Sequence, residues 1–178
     1  MRGIALLAAS LALAGCGLRP LYGGGGAGAV AASLSQVQVG PIEGKAGWLM
    51  SNALRDRLGD GGGTPAYRLD VRLDDRIAGL GVRRDDSVTR ERRSLRARYQ
   101  LVNLADGAVL IDATAGSDAG IDVVQSEYAT IAAENTALER LSGIVADEIV
   151  ARLALYARRV PGATTAPPVP AATSSPTP

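Results

Sequence analysis

Residues 66–74 (AYRLDVRLD) change sides at every position: Tyr67, Leu69, Val71 and Leu73 share one face, Arg68, Asp70, Arg72 and Asp74 the other. Successive side chains of a β-strand point to opposite faces, so this segment is a strand with one apolar and one charged side. Residues 89–102 (TRERRSLRARYQLV) repeat the pattern, with Leu95, Ala97, Tyr99 and Leu101 inward and Arg90, Arg92, Arg96, Arg98 and Gln100 outward. Strands of this kind need a cover for one face and leave the other to water or a partner.

The remaining segments supply the cover. Residues 34–39 (LSQVQV) alternate as a short strand that Gly40-Pro41 ends. Ala46, Leu49, Met50, Ala53, Leu54 and Leu58 recur at helical spacing, predicting a helix over 46–58 that the glycines of 59–63 stop. A loop over 78–87 joins the two charged strands, and Asp106-Gly107 marks a hairpin into a strand over 108–115, with Val109, Ile111 and Ala113 on one face. Residues 121–124 prolong that strand after a bend near 116–120. From 126 to 159 the pattern is helical, with Leu138, Leu141, Val145, Ile149, Leu153 and Tyr156 in one stripe, Ser126 as cap and Glu148 with Arg152 as an i,i+4 pair. Gly143 interrupts that helix at a cost of about 1 kcal/mol against Ala and marks a place for a bend. The order β-α-β-β-β-α predicts an α+β two-layer sandwich: a four-stranded, mostly antiparallel sheet with two helices on one face.

The chain has no His and one Cys. Catalytic Ser-His or Cys-His pairs and His-ligated zinc are therefore closed to it, as is an internal disulfide. The adjacent carboxylates Asp74-Asp75 point to opposite faces of a strand, and Asp85-Asp86 lie in a loop, so neither pair forms an acid–base couple. The glycine run at Gly23 lacks the Lys-Ser/Thr of a phosphate loop. No catalysis, cofactor or metal is expected. With 19 Lys+Arg against 18 Asp+Glu and 3% aromatic residues, the chain has neither the charge nor the stacking surface of a nucleic-acid binder.

Both ends read as lying outside the fold. Residues 1–15 (MRGIALLAASLALAG) place Arg2 before an apolar run too short to span a bilayer, the form of an export signal. Ala12-Leu13-Ala14 suits an ordinary signal peptidase, whereas Leu13-Ala14-Gly15-Cys16 has the form of a lipobox whose Cys is acylated. The second reading is preferred over the first, and over a buried structural Cys, because the single thiol stands where acylation would occur. Residues 16–33 then form a lipidated Cys and a flexible glycine-rich tether, and 34–160 the folded domain. Residues 161–178 (PGATTAPPVPAATSSPTP) form a disordered tail. Gly17 lacks the Asp of an inner-membrane retention signal, so the anchor is expected in the outer membrane of a Gram-negative cell, facing the periplasm.

The outward face of the two charged strands is the candidate site. A hairpin across 78–87 permits a register with Asp70 opposite Arg96, Asp74 opposite Arg92, Arg68 opposite Arg98 and Arg76 opposite Arg90. Seven arginines (Arg68, Arg72, Arg76, Arg90, Arg92, Arg96 and Arg98) against Asp70 and Asp74 give this patch a surplus of five positive charges. Two readings stand: a solvated, salt-bridged face, or a docking surface for phosphorylated lipid or an acidic protein wall, since the guanidinium fork matches phosphate.

The stretch CGLRPLYG from Cys16 to Gly23 resembles the start of the mature lipopolysaccharide-assembly lipoproteins, the LptE family, in its alphaproteobacterial form. The ordered set that follows is similar too: Tyr67-x-Leu69-x-Val71, an Arg-rich strand ending Tyr99-Gln100-Leu101, an Asp-Gly hairpin and a helix opening Ser126-Glu127-Tyr128-Ala129-Thr130. Leu18 stands where Phe is common, and the Pro-rich tail has no counterpart. The resemblance implies a non-catalytic lipoprotein, anchored to outer-membrane lipids through Cys16. It would plug the LptD-type β-barrel that delivers lipopolysaccharide to the outer leaflet and help that barrel assemble. Arg90, Arg92, Arg96 and Arg98, with Arg68 and Arg76, are then the candidate contacts to lipopolysaccharide or the barrel wall. An auxiliary lipoprotein of an ABC-type envelope lipid transporter is the alternative.

Overall fold

The computed structural model describes residues 28–59, 63–82 and 88–159. The expected export signal, Cys16, most of the tether and the Pro-rich tail lie outside these residues. The elements are α1 (Ala29–Leu34), β1 (Val37–Val39), α2 (Gly44–Leu58), β2 (Tyr67–Val82), β3 (Val88–Asn103), β4 (Val109–Asp122) and α3 (Glu127–Arg159). They form one four-stranded sheet in the order β1-β2-β3-β4, with β1 parallel to β2 and the other pairs antiparallel. The fold is the expected α+β two-layer arrangement, with one helix more than the periodicity showed.

Several boundaries differ from the sequence expectations. The first strand keeps only Val37–Val39, because Leu34 closes the short helix α1 and buries its side chain in the core. Of the loop expected over 78–87, residues 78–82 are strand, with β2 and β3 paired out to Val82 and Val88, and residues 83–87 lie outside those described. Ladder hydrogen bonds hold these residues even though few of their side chains find a core. Nor does β4 bend at 116–120, where its pairing with β3 runs through without a break. Glycine-rich sequence reads as a bend, but here small residues let neighbouring side chains lie flat. The hairpin at Asp106-Gly107 forms as expected: Gly107 takes φ +74° and its N–H donates to the Asn103 carbonyl at 2.9 Å.

The core lies between the odd-numbered face of β2 and β3 and the facing sides of α2 and α3. Leu69, Leu95, Tyr99, Met50, Leu54, Leu141, Val145 and Ile149 are completely buried. Each such aliphatic side chain is worth about 1.5–3 kcal/mol. Lys45 donates to Asn135 at 2.6 Å and Arg57 to Asp147 at 3.1 Å, so α2 and α3 lie side by side and run in the same direction. Gly47 permits the first turn of α2 to close onto Ile42, since a Cβ there would collide with the Ile42 carbonyl. The helix α3 is continuous from Glu127 to Arg159 through Gly143.

Candidate functional site

The second face of the sheet is built from the even-numbered residues, whose parity the alternation set correctly. The register across β2 and β3 is four residues away from the one expected. Asp70 faces Gln100, Arg72 faces Arg98, Asp74 faces Arg96, Arg76 faces Ser94, and Arg68, Arg92 and Arg90 face Val102, Ala78 and Leu80. A hairpin with a longer ladder and a shorter connection moves the turn outward, and an even shift leaves every side chain on its own face. This corrects the expected opposition of Arg68 with Arg98 and of Arg76 with Arg90. Among the described residues only Arg72 and Arg98 are directly opposed as like charges across β2 and β3.

The excess charge is also smaller than the sequence count. β4 contributes Asp112, Asp118 and Asp122 to the same face, so seven arginines meet five carboxylates and the surplus is two. Arg68 grips Asp70 at 2.9 Å, Arg76 Asp74 at 2.8 Å, Arg90 Asp122 at 3.0 Å, Arg96 Asp118 at 2.8 Å and Arg98 Asp112 at 3.0 Å. Gln100 adds a bond to Asp112 at 3.0 Å. Gly116 lets the Arg96 chain lie across β4, where it also donates to the Ser117 carbonyl at 2.9 Å; a Cβ at Gly116 would collide with the Arg96 Cδ. Among the described residues Arg72 and Arg92 make no carboxylate hydrogen bond, although Arg92 acts on Asp118 through space.

All of these pairs are solvent-exposed, and exposed ion pairs contribute only about 0–1 kcal/mol each. They order the guanidiniums without locking them. Their guanidinium partners hold the Asp112 and Asp118 carboxyls below the usual carboxylate range, mainly by hydrogen bonds from Arg98 and Arg96. A depressed folded-state pKa gives stability that is present above the unfolded value of about 4 and lost as pH falls through the folded one. With no His in the chain, thermal unfolding is expected to be nearly flat between about pH 5 and 8 and to weaken only below about pH 4. Melting curves across that range check this; a midpoint that falls steadily from neutral pH would contradict it.

Where Pro41 ends β1, the face holds an open depression of about 530 Å³ lined by Pro41, Asp70, Val71, Arg72, Arg98 and Gln100. No described helix covers the face: Arg68, Arg72, Arg76, Arg90, Arg92, Arg96 and Arg98 are all exposed. Two features escaped the sequence reading. Arg93 lies on the other, core-facing side and is buried, paired with Asp75. Glu148 and Arg152 do more than pair along the helix. Glu148 accepts from the Gly116 N–H at 3.3 Å and Arg152 donates to the Thr114 carbonyl at 3.2 Å, capping the free edge of β4.

The sequence profile of the lipopolysaccharide-assembly (LptE) family matches residues 34–153, two-thirds of the chain. The chain belongs to the LptE family. The match spans β1, α2, the whole hairpin sheet and most of α3, so the arginine face and its aspartates all lie on the family's common body. Solved structures share this fold. A chain from Caulobacter crescentus CB15 described as a lipoprotein is 24% identical with a TM-score of 0.61, covering 72% of this chain and 96% of that one. A minor lipoprotein from Acinetobacter baumannii is 14% identical with a TM-score of 0.50, covering 69% and 93%. Rare lipoprotein B from Shewanella oneidensis is 11% identical with a TM-score of 0.51, covering 69% and 96%. No curated relative matches the chain. Membership makes this an LptE-type lipoprotein of lipopolysaccharide assembly. Among the described residues no helix is long and apolar enough to cross a membrane.

Proposed function

We propose that this LptE-family chain is anchored through Cys16 to the periplasmic side of the outer membrane. There it acts as plug and assembly partner of the lipopolysaccharide-transport β-barrel, helping lipopolysaccharide reach the outer leaflet. The observation that supports this reading is the uncovered sheet face, a polar surface of alternating Arg and Asp suited to a polar barrel lumen. Arg92 and Arg72, which lack a carboxylate hydrogen bond of their own, are the natural first contacts for an incoming phosphate or carboxylate. Arg90, Arg96, Arg98, Arg68 and Arg76 can exchange their exposed aspartates for a bidentate phosphate at little cost.

The test is capture of the tagged lipoprotein from detergent-solubilised outer membrane, with identification of what accompanies it. A co-purifying β-barrel and bound lipopolysaccharide are expected; recovery of an ABC transporter with no barrel overturns the reading. Changing Arg92, Arg96 and Arg98 together to Glu should weaken this association, with a loss that deepens as salt is lowered, because like charges are then brought together over about one Debye length. If association persists at every ionic strength and only stability changes, the face is a solvated ladder and nothing more.

A further inference from the structure

Beyond Leu69 the edge of β2 has no neighbour, and a cleft opens on either side of it. β1 covers only Tyr67, Arg68 and Leu69, and Pro41 stops it there. The Tyr67 N–H and the Leu69 carbonyl point toward β1, bonding the Gln36 carbonyl and the Gly40 N–H. By the two-residue period of the strand, the amide and carbonyl groups of Val71, Leu73, Asp75, Ile77 and Gly79 point out of the same edge. None of them has a backbone partner there among the described residues. An unpaired edge is a template for another strand, and an inward-facing charge is one way to blunt it. Asp75 is such a charge, but Arg93 holds it at 2.8 Å and the edge stays usable. The opposite edge of the sheet is capped from α3 by Glu148 and Arg152.

The two clefts set what a strand laid along this edge would meet. On the arginine face lies the depression of about 530 Å³ at Arg72, Arg98 and Gln100. On the helix side a second cleft of about 410 Å³ is bordered by Pro41, Ile42, Val71 and Leu73, with Glu43 and Arg72 also lining it. Side chains of an added strand alternate between these two sides. Those on the first side meet Arg72, which makes no carboxylate hydrogen bond among the described residues and stands opposite Arg98. An acidic side chain there relieves two like charges. Those on the second side meet apolar carbon, and Glu43 turns acidic groups away from it.

We propose that the open edge of β2 takes up an unpaired β-strand with acidic and polar side chains on one face and apolar ones on the other, supplied by a barrel strand not yet closed into its own sheet. Transmembrane barrel strands carry this two-residue repeat, apolar toward lipid and polar toward the lumen. Each is about 9–11 residues long, a length that the open stretch from Val71 to Val82 accommodates. Backbone pairing supplies the affinity, and the two clefts read the alternation. Closure of the barrel returns the strand to its own neighbours and leaves the edge empty again. The proposal rests on the assembly role for the source of the strand. The peptide measurement that tests it involves no barrel, so the two readings fail separately.

The probe is the end-capped peptide Glu-Val-Thr-Leu-Asp-Val-Ser-Leu-Glu, added to the full lipoprotein in detergent. It should bind at least tenfold more tightly than an isomer of the same composition with its apolar residues in one block, and than a counterpart with Lys at the acidic positions. Amide exchange at Val71, Leu73, Asp75 and Ile77 should slow at least tenfold on binding. Exchange at Arg72, Asp74 and Arg76, whose amides already face β3, should stay as it was. Ile77→Pro removes one outward N–H that the sheet does not use, and should weaken binding at least tenfold while the melting midpoint is kept. Arg72→Glu should turn the preference toward the Lys peptide. No binding, a blocked isomer that binds as well, outward amides that exchange as before, or a preference indifferent to Arg72→Glu overturns the proposal. Should Ile77→Pro not fold, the exchange pattern of the parent decides alone. Peptide binding of this pattern by a lipoprotein that captures no barrel overturns the barrel as source and leaves the strand site standing.

Discussion

Replacing Arg93 with Ala is expected to lower the unfolding free energy by about 2–4 kcal/mol, a large loss for a change outside the apolar core. Arg93 sits at an odd position of β3, so its side chain turns under the helical layer, where it is 11% exposed. It donates to both oxygens of Asp75 on β2, at 2.8 Å for the Nε contact, and to the Glu134 carbonyl of α3 at 2.9 Å. Its hydrogen bonds to Asp75, the largest influence on it, keep the guanidinium firmly charged against the opposing effect of burial. Truncation would leave the Asp75 carboxylate half-sheltered without its cation and cut a tie between the sheet and the N-terminal half of α3. Removing both charges avoids the orphaned ion, so Arg93→Met with Asp75→Leu should recover most of the loss. Urea unfolding of the two single variants and the double one measures the coupling. Single variants within about 0.5 kcal/mol of the parent would show that the pair is no more than a surface bridge.

Cys16→Ala is expected to move the protein almost entirely from the membrane to the soluble periplasmic fraction. The expectation rests on the lipobox Leu13-Ala14-Gly15-Cys16 and on chain energetics. One acyl chain alone gives marginal, reversible attachment with a constant of about 10⁴ M⁻¹, while several act together at about 0.8 kcal/mol per buried CH₂. Among the described residues no helix could replace the anchor by spanning the bilayer. The parent should carry acyl mass on its N-terminal peptide, and the variant none, cut instead at the small residues Ala12-Leu13-Ala14 or left uncut. Membranes washed in high salt remove the contribution of protein contacts. A variant still wholly retained after that wash, or a parent without acyl mass, would end the anchor assignment.

Strict alternation in 67–74 and 95–101 made the strands and their faces legible, because one misplaced residue would expose a whole apolar set. The stripe from Leu138 to Tyr156 made α3 legible for the same kind of reason at a period of 3.6. Where side chains stop reporting on burial, the boundaries failed. From Ala78 to Val82 in β2, and at Val88 in β3, the backbone ladder continues where the alternation has faded, so strand reads as loop. The glycines at Gly116 and Gly120 read as a bend and turned out to be room for a neighbour at Gly116, where the Arg96 chain lies.

By itself the sequence determined the α+β class, the facing of nearly every strand residue and the concentration of arginine on one side, since these depend on local period and composition. The tertiary structure alone decided the rest. It set the register four residues away, brought Asp112, Asp118 and Asp122 from β4 to cut the excess charge from five to two, and turned Arg93 inward onto Asp75. It also left one sheet edge capped and the other open. These all depend on which distant segments lie side by side. Period and composition constrain only the face a residue takes, while its neighbour across the ladder is set by turn length and by packing of the whole sheet against its helices.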